Sequence, residues 1–459
     1  MIAERLPAAI ALIALYLLLC GFVAWRFRRK QRLQAEAAAQ LLPAMAGDGA
    51  PPMWVLHASQ TGQAEDLALQ TARALHVAGQ PVRLAALGSV RPDELRGSTH
   101  ALFIVSTYGE GDPPDAAAPF WRAALEAAPA LQGLQYGVLA LGDRTYDHFC
   151  GFGRELDDWL RTAGASALFE RIDVDRSDAA ALEQWRHHLS HLAGTVDLPV
   201  WEEARFEPWQ LAARDHLNAG STGGGVFHVE LTPPAGQPLP DWQAGDLVQV
   251  QHADEPARPR EYTIASLPAD GRVHLMVRQT RRDDGTPGLA SGWLTQATQP
   301  GDAIALRVRG HSSFRIGDNA ARPLILIGNG TGLAGLRAHL KARAAAGTGA
   351  KPCWLVFGER ESAHDSHYGD ELLAWQAQGV LARLDRVFSR DAADRRYVQH
   401  LLAQHGETLR EWVAGDAAIY VCGSLQGMAA AVDTVLRETL GEAAVDALIE
   451  QGRYRRDVY

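Results

Sequence analysis

Short apolar segments alternate with helix-like segments over two long regions of this 459-residue sequence. In the first region, "MWVLHA", "ALFIVST" and "YGVLALGD" have the length and composition of buried strands. Between the first two, "AEDLALQTARALHVAG" has helical spacing and ends in a glycine. The alternation resumes at "RPLILIGNGTG" and continues to the last residue. Because strands that alternate with helices form parallel sheets covered on both faces, we predict two doubly wound α/β domains.

A region of different texture separates the two, from about Arg205 to Ile316. Here short strand-like segments and turns follow one another, as in "GDLVQVQH", "REYTIAS" and "GRVHLMVRQT". This spacing is typical of a small antiparallel β-barrel. The predicted domains therefore span residues 53–198, 199–318 and 319–459.

The N-terminal segment is predicted to anchor the chain in a membrane. Leu6 to Trp25 carries no charge, and its length of about 20 residues suffices to cross roughly 30 Å of hydrocarbon. A cleavable signal peptide has its positive charge before a shorter apolar core, whereas here "RFRRKQR" follows the apolar segment. Positive charge on that flank places it in the cytoplasm. We therefore expect a single-pass anchor over residues 1–32 in the inner (cytoplasmic) membrane, with a buried apolar helix as the alternative.

Residues 33–52 are rich in Ala, Gly and Pro and are predicted to be a linker. The composition of the whole chain also limits its partners and cofactors. A net charge of −10 argues against nucleic acid, which requires a basic surface. The four cysteines are scattered without a CxxC motif, which argues against a disulfide framework, an iron–sulfur cluster and a structural zinc site. We expect no metal and a reducing compartment.

Three loops of the first α/β region point to a ligand. "HASQTGQAED" directly follows a strand and opens a helix, so its backbone amides can bind a phosphate, although an ordinary helix cap would look the same. "STYGEGDPPD" adds Tyr108 after the second strand, and "LGDRTYDHF" adds Tyr146 and His148 after the third. Ligands of open α/β sheets bind beyond the carboxyl ends of the strands. The three loops therefore predict a site for a flat ring with a phosphorylated tail.

The barrel region carries two further candidate anion sites. In "RPREYTIAS", alternation places Arg260 and Tyr262 on one face of a strand, where a cation can meet a pyrophosphate and an aromatic ring can stack on a flat ligand. "GLASGWL" is a glycine-containing turn into a helix. Taken alone, the first stretch is better explained by a surface arginine and the second by a plain helix start.

The last region contains a turn typical of nucleotide-binding sites. "LILIGNGTGLAGLRAHL" reads as a strand, a glycine-rich turn and a helix, which allows a pyrophosphate to approach the backbone. "VFSRDAADRRYVQHL" brings arginines together, and guanidinium groups bind a ribose 2′-phosphate well. The alternative is a charged loop before a helix. "IYVCGSLQGM" places Cys422 at the end of a buried strand, where a lone cysteine usually belongs to the core.

Taken together, these motifs resemble the diflavin reductase family, of the sulfite reductase flavoprotein and NADPH–cytochrome reductase type. The resemblance implies a flavodoxin-like FMN domain, an antiparallel β-barrel FAD domain and an α/β NADP-binding domain, preceded here by one transmembrane helix. The barrel motifs are similar to the R-x-Y-[ST] and G-x-x-[ST] FAD signatures of ferredoxin–NADP reductase-like domains. Only a short stretch separates "GDLVQV" from "RPREYT", so the helical insert of larger members is expected to be absent.

The resemblance assigns residues to each cofactor. For FMN they are Ser59, Gln60, Thr61, Gly62, Gln63, Ala64, Tyr108, Gly109, Tyr146, His148 and Asp175, with Asp173 as an alternative to Asp175. For FAD they are Arg260, Tyr262, Thr263, Gly288, Leu289, Ala290, Ser291 and Tyr459. For NADPH they are Gly330, Thr331, Gly332, Ser389, Arg390, Arg395, Tyr397 and Gln399. The catalytic residues implied for hydride transfer are Thr263, Cys422, Asp457 and Tyr459, whose terminal ring we expect to lie on the FAD isoalloxazine.

The function implied is electron transfer from NADPH through FAD and FMN to a one-electron acceptor. Candidate acceptors are a haem protein, a sulfite reductase haemoprotein and a membrane ferric-chelate reductase, and the predicted anchor favours one in or near the membrane. The alternative is a non-catalytic, membrane-tethered electron carrier or docking module.

Overall fold

The computed structural model describes residues 51–459, apart from residues 110, 128–129, 196–204, 257, 283, 348 and 392–393. The predicted anchor, residues 1–32, and all but the last two residues of the predicted linker lie outside the described residues. Within the described part of the chain, no helix combines the length and the apolar character needed to cross a bilayer.

The first domain is built on a parallel sheet whose path runs β2-β1-β3-β4-β5, with β6 also paired to β4. Its elements are β1 (Met53–Ala58), α1 (Gln63–Val77), β2 (Val82–Ala86), β3 (His100–Ser106), α2 (Ala118–Glu126), β4 (Gln135–Gly142), α3 (Gly151–Thr162), β5 (Ser166–Ala167), β6 (Ile172–Asp175) and α4 (Ala179–Ala193). On β3, Phe103 packs into one apolar cluster and its neighbours Leu102 and Ile104 into the other. Both faces of the sheet are therefore covered, as the continuous apolar runs predict.

The second domain is an antiparallel sheet of order β10-β9-β12-β7-β8-β11. Its elements are β7 (Glu207–His216), β8 (Val226–Thr232), β9 (Leu247–Val250), β10 (Arg260–Thr263), β11 (Val273–Arg278), the short α5 (Leu289–Gly292) and β12 (Ala303–Arg309). A bridge between Ile264 and Leu275 joins the two ends of the order, so the sheet closes into the expected barrel. The connection from the end of β9 at Val250 to the start of β10 at Arg260 is short, and its described residues form no helix.

The third domain is a fully parallel sheet of order β15-β14-β13-β16-β17. Its elements are β13 (Leu324–Asn329), α6 (Leu333–Ala345), β14 (Cys353–Glu359), α7 (Gly369–Ala377), β15 (Leu381–Phe388), α8 (Val398–Gln404), α9 (Gly406–Ala414), β16 (Ala418–Gly423), α10 (Ala430–Leu440), α11 (Glu442–Glu450) and β17 (Tyr454–Val458). The end of the chain is therefore an edge strand of this sheet, whereas chain termini are usually frayed.

The first domain packs against the third through charged side chains. Arg456 of β17 donates through Nε to Asp115 Oδ2 at 2.9 Å, and a second contact makes the pair bidentate. Arg122 on α2 reaches Asp446 at 3.1 Å and also pairs with Glu450, both on α11. These contacts place the loop after β3 directly beside the last strand of the chain.

A buried thiol generates a prediction about stability at high pH. Burial raises the pKa of Cys353 from its ordinary value of 9.0 to about 12. Since the folded value is the higher one, the stability involved is complete below about pH 9 and is lost as the pH rises toward 12. Between about pH 9 and 11 we expect this thiol to lower the free energy of unfolding by about 1.4 kcal/mol per pH unit.

Chemical denaturation of the parent protein and of Cys353→Ala, repeated across this pH range, measures the effect. The variant should show a shallower fall of stability with pH, together with a constant offset from the lost packing. Parallel pH curves would contradict the prediction.

Candidate functional site

The turn after β1 has the shape of an anion site. Ser59 Oγ accepts a hydrogen bond from the amide of Ala64 at 3.3 Å, which closes the turn over its own backbone. Gly62 has φ = 82°, a left-handed conformation that favours glycine, and α1 begins at the next residue, Gln63. Thr61 lies within the same turn. Ser59 to Ala64 therefore aim helix-terminal amides beyond the carboxyl edge of the first sheet.

Asp175 lies at this edge, and Asp173 does not. In the pairing of β4 with β6, Asp175 stands opposite Gly142, the last residue of β4, and its carboxylate accepts from the amide of Arg144 at 3.1 Å. Asp173 stands two residues further back and pairs with Arg171 at 2.7 Å. Both residues lie on one face of β6, and the position of Asp175 at the end of the strand favours it as the residue nearer to the predicted ring site.

The two tyrosines of the edge differ in environment. Tyr146 is 39% exposed. Tyr108 packs against the apolar cluster of the third domain, and burial raises the pKa of its phenol to about 12. Their loops meet, because Gly111 approaches the side chain of His148 so closely that a Cβ on the glycine would lie 2.9 Å from it. Gly109, next to Tyr108, has φ = 54° and leaves space beside the turn.

Gln60 links the turn after β1 to the second and third domains by hydrogen bonds. Its Nε2 donates to the carbonyl oxygen of Arg456 at 2.9 Å and to Asp115 Oδ2 at 3.2 Å. Its backbone carbonyl lies 2.8 Å from His311 Nε2 and accepts from Ser313 Oγ at 2.7 Å. The first candidate ligand site is therefore held next to the barrel and next to the last strand.

Three of the residues expected at the hydride site meet in the structure. The parallel pairing of β16 with β17 sets Cys422 opposite Asp457. Asp457 Oδ2 accepts from Thr263 Oγ1 at 2.6 Å and from Cys422 Sγ at 3.6 Å. All three are buried. Burial and the neighbouring Asp457 raise the pKa of the Cys422 thiol well above its ordinary range, so the thiol stays protonated and donates a hydrogen bond to the carboxylate.

Tyr459 lies across the glycine-rich turn between β13 and α6. Its phenol oxygen is 3.1 Å from Thr331 Oγ1, and its amide donates to Gly423 at 3.0 Å. The residue is 58% exposed, so one side of it faces open space beside the hydride-site residues.

The other residues assigned to FAD belong to the second domain. Tyr262 is partly buried, and burial raises the pKa of its phenol. Arg260 pairs with Glu255 at 3.0 Å. Gly288 approaches Thr280 Oγ1 so closely that a Cβ would lie 2.0 Å from it, which explains the glycine that opens α5. In that helix Leu289 and Ala290 precede Ser291, whose hydroxyl is 2.8 Å from Thr280 Oγ1.

A glycine-rich turn follows β13 at the carboxyl edge of the third sheet. Gly330 has φ = 56°, and a Cβ on Gly332 would lie 2.1 Å from the carbonyl oxygen of Cys422, so this turn packs against the end of β16. Arg278 of the barrel pairs with the buried Glu359 and reaches to within 3.3 Å of the Cβ position of Gly330. A cation from the barrel therefore lies beside the turn expected to bind a pyrophosphate.

The residues expected at a 2′-phosphate follow β15 and open α8. Ser389 is buried, while Arg390 and Arg395 are exposed, and the amide of Arg390 donates to the carbonyl of Arg360 at 2.7 Å. Tyr397, also exposed, directly precedes α8, and Gln399 lies in its first turn. The exposed guanidinium groups lie at the same carboxyl edge as the Gly330 turn.

Sequence reasoning missed Asp115, Arg456, His311 and Arg278. Asp115 and Arg456 are 341 residues apart, and Gln60 and His311 are 251 apart. Each of these side chains lies in an ordinary loop or strand, so no local spacing could have indicated its contact. Only the packing of the domains brings them to the site.

Comparison with known proteins agrees with this organisation. Residues 55–188 match the flavodoxin family, and residues 326–434 match the oxidoreductase NAD-binding domain family. The chain is 26% identical to the sulfite reductase [NADPH] flavoprotein alpha-component of Bacillus subtilis, over 88% of this chain and 89% of the relative. For the same component of Vibrio parahaemolyticus the values are 27%, 93% and 89%, and for that of Yersinia enterocolitica they are 28%, 92% and 92%. These alignments extend over 539 to 558 positions, so the relatives contain residues without a counterpart in this 459-residue chain.

The buried carboxylate generates a prediction about rate. A nicotinamide ring becomes positively charged as its hydride leaves, and a fixed carboxylate stabilises that charge. Asp457→Asn keeps an oxygen acceptor for Thr263 but removes the charge. We expect kcat for NADPH oxidation to fall roughly 100-fold with flavin content unchanged.

Steady-state kinetics with ferricyanide, beside flavin absorbance, measure this effect. Asp446→Asn on α11 is the matched control, since it makes the same chemical change at the domain interface and should leave hydride transfer intact. An Asp457→Asn variant as fast as the control would show that the carboxylate has no part in the reaction.

Proposed function

Since the chain belongs to the diflavin reductase family, we propose that it oxidises NADPH and delivers the electrons singly to a redox partner. The presence of a flavodoxin domain and an NAD-binding domain indicates that the chain binds FMN, FAD and NADPH. When bound, the two flavins supply the change from hydride transfer to one-electron transfer. The residues of the chain bind and orient these groups and hold a buried carboxylate, Asp457, at the hydride site.

One observation carries this proposal. Adjacent residues of β17 reach the two candidate flavin sites, because Arg456 binds the loops around Gln60 and Asp115 while Asp457 binds Thr263 and Cys422. Neighbouring residues of a strand are only about 3.3 Å apart along its axis and point to opposite faces. The geometry therefore supports electron transfer within one chain, from a hydride site on one face of β17 to a ring site on the other.

The competing interpretation is a membrane-tethered carrier or docking module without NADPH turnover. The buried hydrogen bonds of Asp457 and the exposed arginines after β15 favour the enzyme, since a module without turnover has no use for either. The deciding experiment is the absorbance of the purified protein. An FAD to FMN ratio near one, with bleaching by NADPH, supports the reductase, and a colourless protein supports the docking module.

We further propose that residues 1–32 anchor the protein in the inner membrane, with the three domains in the cytoplasm, and that its acceptor is in or near that membrane. An anchor raises the effective concentration of the first domain at the bilayer. The names of the relatives favour another acceptor, a sulfite reductase haemoprotein. Adding NADPH to membranes and to the soluble fraction, and identifying the protein reduced in each, distinguishes the two acceptors.

Deleting residues 1–32 tests the anchor. The predicted ligand-binding residues all lie after residue 52, so the shortened protein should stay in the soluble fraction and reduce ferricyanide with NADPH at an unchanged rate. Reduction of a membrane acceptor should fall, because the tether is lost. If the shortened protein folds but stays with membranes, or no longer oxidises NADPH, the role given to this segment is wrong.

Replacing Arg390 with Glu tests the choice of nucleotide. The loss of a charge-assisted contact with the 2′-phosphate should raise KM for NADPH about 10- to 100-fold and affect NADH far less. Arg396→Glu is the matched control, because Arg396 belongs to the same loop but donates to Gln404. Equal losses for both nucleotides, or equal effects of the two variants, would contradict a 2′-phosphate role for Arg390.

A further inference from the structure

Three side chains of metal-ligand type lie together on the barrel, apart from the candidate flavin and nucleotide sites. His228 and Glu230 are two residues apart on β8 and therefore share a face, and the pairing of β8 with β11 sets His274 opposite Glu230. The register of the barrel thus gathers two imidazoles and one carboxylate.

Their spacing fits a single small cation. His228 Nε2 is 3.3 Å from Glu230 Oε1, His274 Nε2 is 4.0 Å from the same oxygen, and all three ligand atoms lie within 4.8 Å of one another. Ligand atoms held at about 2.0–2.2 Å from a tetrahedral Zn²⁺ ion are about 3.3–3.6 Å apart. The side chains would need only small rotations to coordinate such an ion.

The surroundings orient these ligands. His228 Nδ1 lies 2.8 Å from the Tyr368 hydroxyl, and Glu230 Oε2 accepts from Arg272 at 2.6 Å. In one tautomer Nε2–H donates to Glu230 Oε1. When instead Nδ1 carries the proton and donates to Tyr368, the lone pair of Nε2 faces that oxygen, and the two acceptors lie 3.3 Å apart. A cation at that point would satisfy both. Ligating groups oriented by such outer partners are the usual arrangement of metal sites.

The nearby cation is already paired. Arg337 would oppose a bound cation, but the carboxylate of Glu371 neutralises its charge through a contact of 2.6 Å.

We propose that His228, Glu230 and His274 bind one divalent ion of the zinc class, with a water molecule in the remaining position. Because Tyr368 directly precedes α7 of the third domain while the three ligands belong to the barrel, the bound ion would strengthen the contact between these domains. The composition argument against metal considered closely spaced cysteines and histidines. It could not detect ligands from strands more than 40 residues apart in the sequence.

Two other groups are weaker candidates. Glu359, Asp365 and His367 are buried together, but Asp365 already accepts from Asn218 and Ser221, and Glu359 pairs with an arginine. On α4, His187 and His191 approach to 3.0 Å between their Nε2 atoms, but they offer only two ligands on an exposed helix. This exposed pair must be removed before binding at the barrel can be measured.

The test uses the full flavin-loaded chain carrying His187→Ala, stripped of metal with a chelator. Equilibrium dialysis against Zn²⁺ should then show one ion per chain, and Co²⁺ should give the visible absorption of a low-coordinate site. Adding His274→Ala should abolish binding, and Tyr368→Phe should weaken it about 10- to 100-fold because an outer partner is lost. His216→Ala, on the same barrel, should change nothing.

Thermal unfolding provides a second readout. Saturating Zn²⁺ should raise the unfolding temperature of the His187→Ala parent but not that of the chain with His274→Ala, since a ligand stabilises only a folded state that binds it. Equal Zn²⁺ affinity with and without His274→Ala, or no saturable binding in the parent, would overturn the proposal. Neither result depends on NADPH oxidation, so a failure here leaves the reductase proposal untouched.

Discussion

The parallel pairing of β17 with β16 is the constraint on which the rest of the structure depends. It fixes Asp457 opposite Cys422, and alternation along the strand then turns the neighbouring Arg456 to the opposite face. One face of β17 binds the barrel through the hydrogen bond of Asp457 with Thr263. The other face binds the first domain through the contact of Arg456 with Asp115. The last strand therefore contacts all three domains.

The two ion-pair contacts between the first and third domains differ in strength. The side chains of Arg456 and Asp115 are only 16% and 18% exposed, and breaking a buried pair by removing one partner costs about 3–5 kcal/mol. The pair between Arg122 and Glu450 is exposed to solvent, where such pairs contribute about 0–1 kcal/mol. The interface consequently depends on Arg456, whose guanidinium group also lies 5.2 Å from the ring centroid of Tyr108.

The sequence was informative wherever the determining interactions are local. Buried strands such as β1 and β13 appear as continuous apolar runs, and the glycine at position 62 follows from a left-handed turn. Contacts between distant segments were not readable. Thr263 and Asp457 are 194 residues apart, and nothing near either residue specifies the other. The resemblance to a family supplied that grouping, whereas the link from Gln60 to Arg456 and the three-ligand cluster of the barrel emerged only from the packed structure.

The predicted hydride site combines a carboxylate with neutral hydrogen-bond donors in a buried environment. Cys422 keeps its proton because burial and Asp457 both oppose a thiolate, so no second negative charge develops beside the carboxylate. Thr263 and Cys422 hold one oxygen of Asp457 without neutralising it, since a hydroxyl and a thiol carry no charge. In a low-dielectric interior a fixed charge acts more strongly on a nearby developing charge than it does in water. A carboxylate held in this way is therefore suited to stabilise a nicotinamide that becomes positively charged.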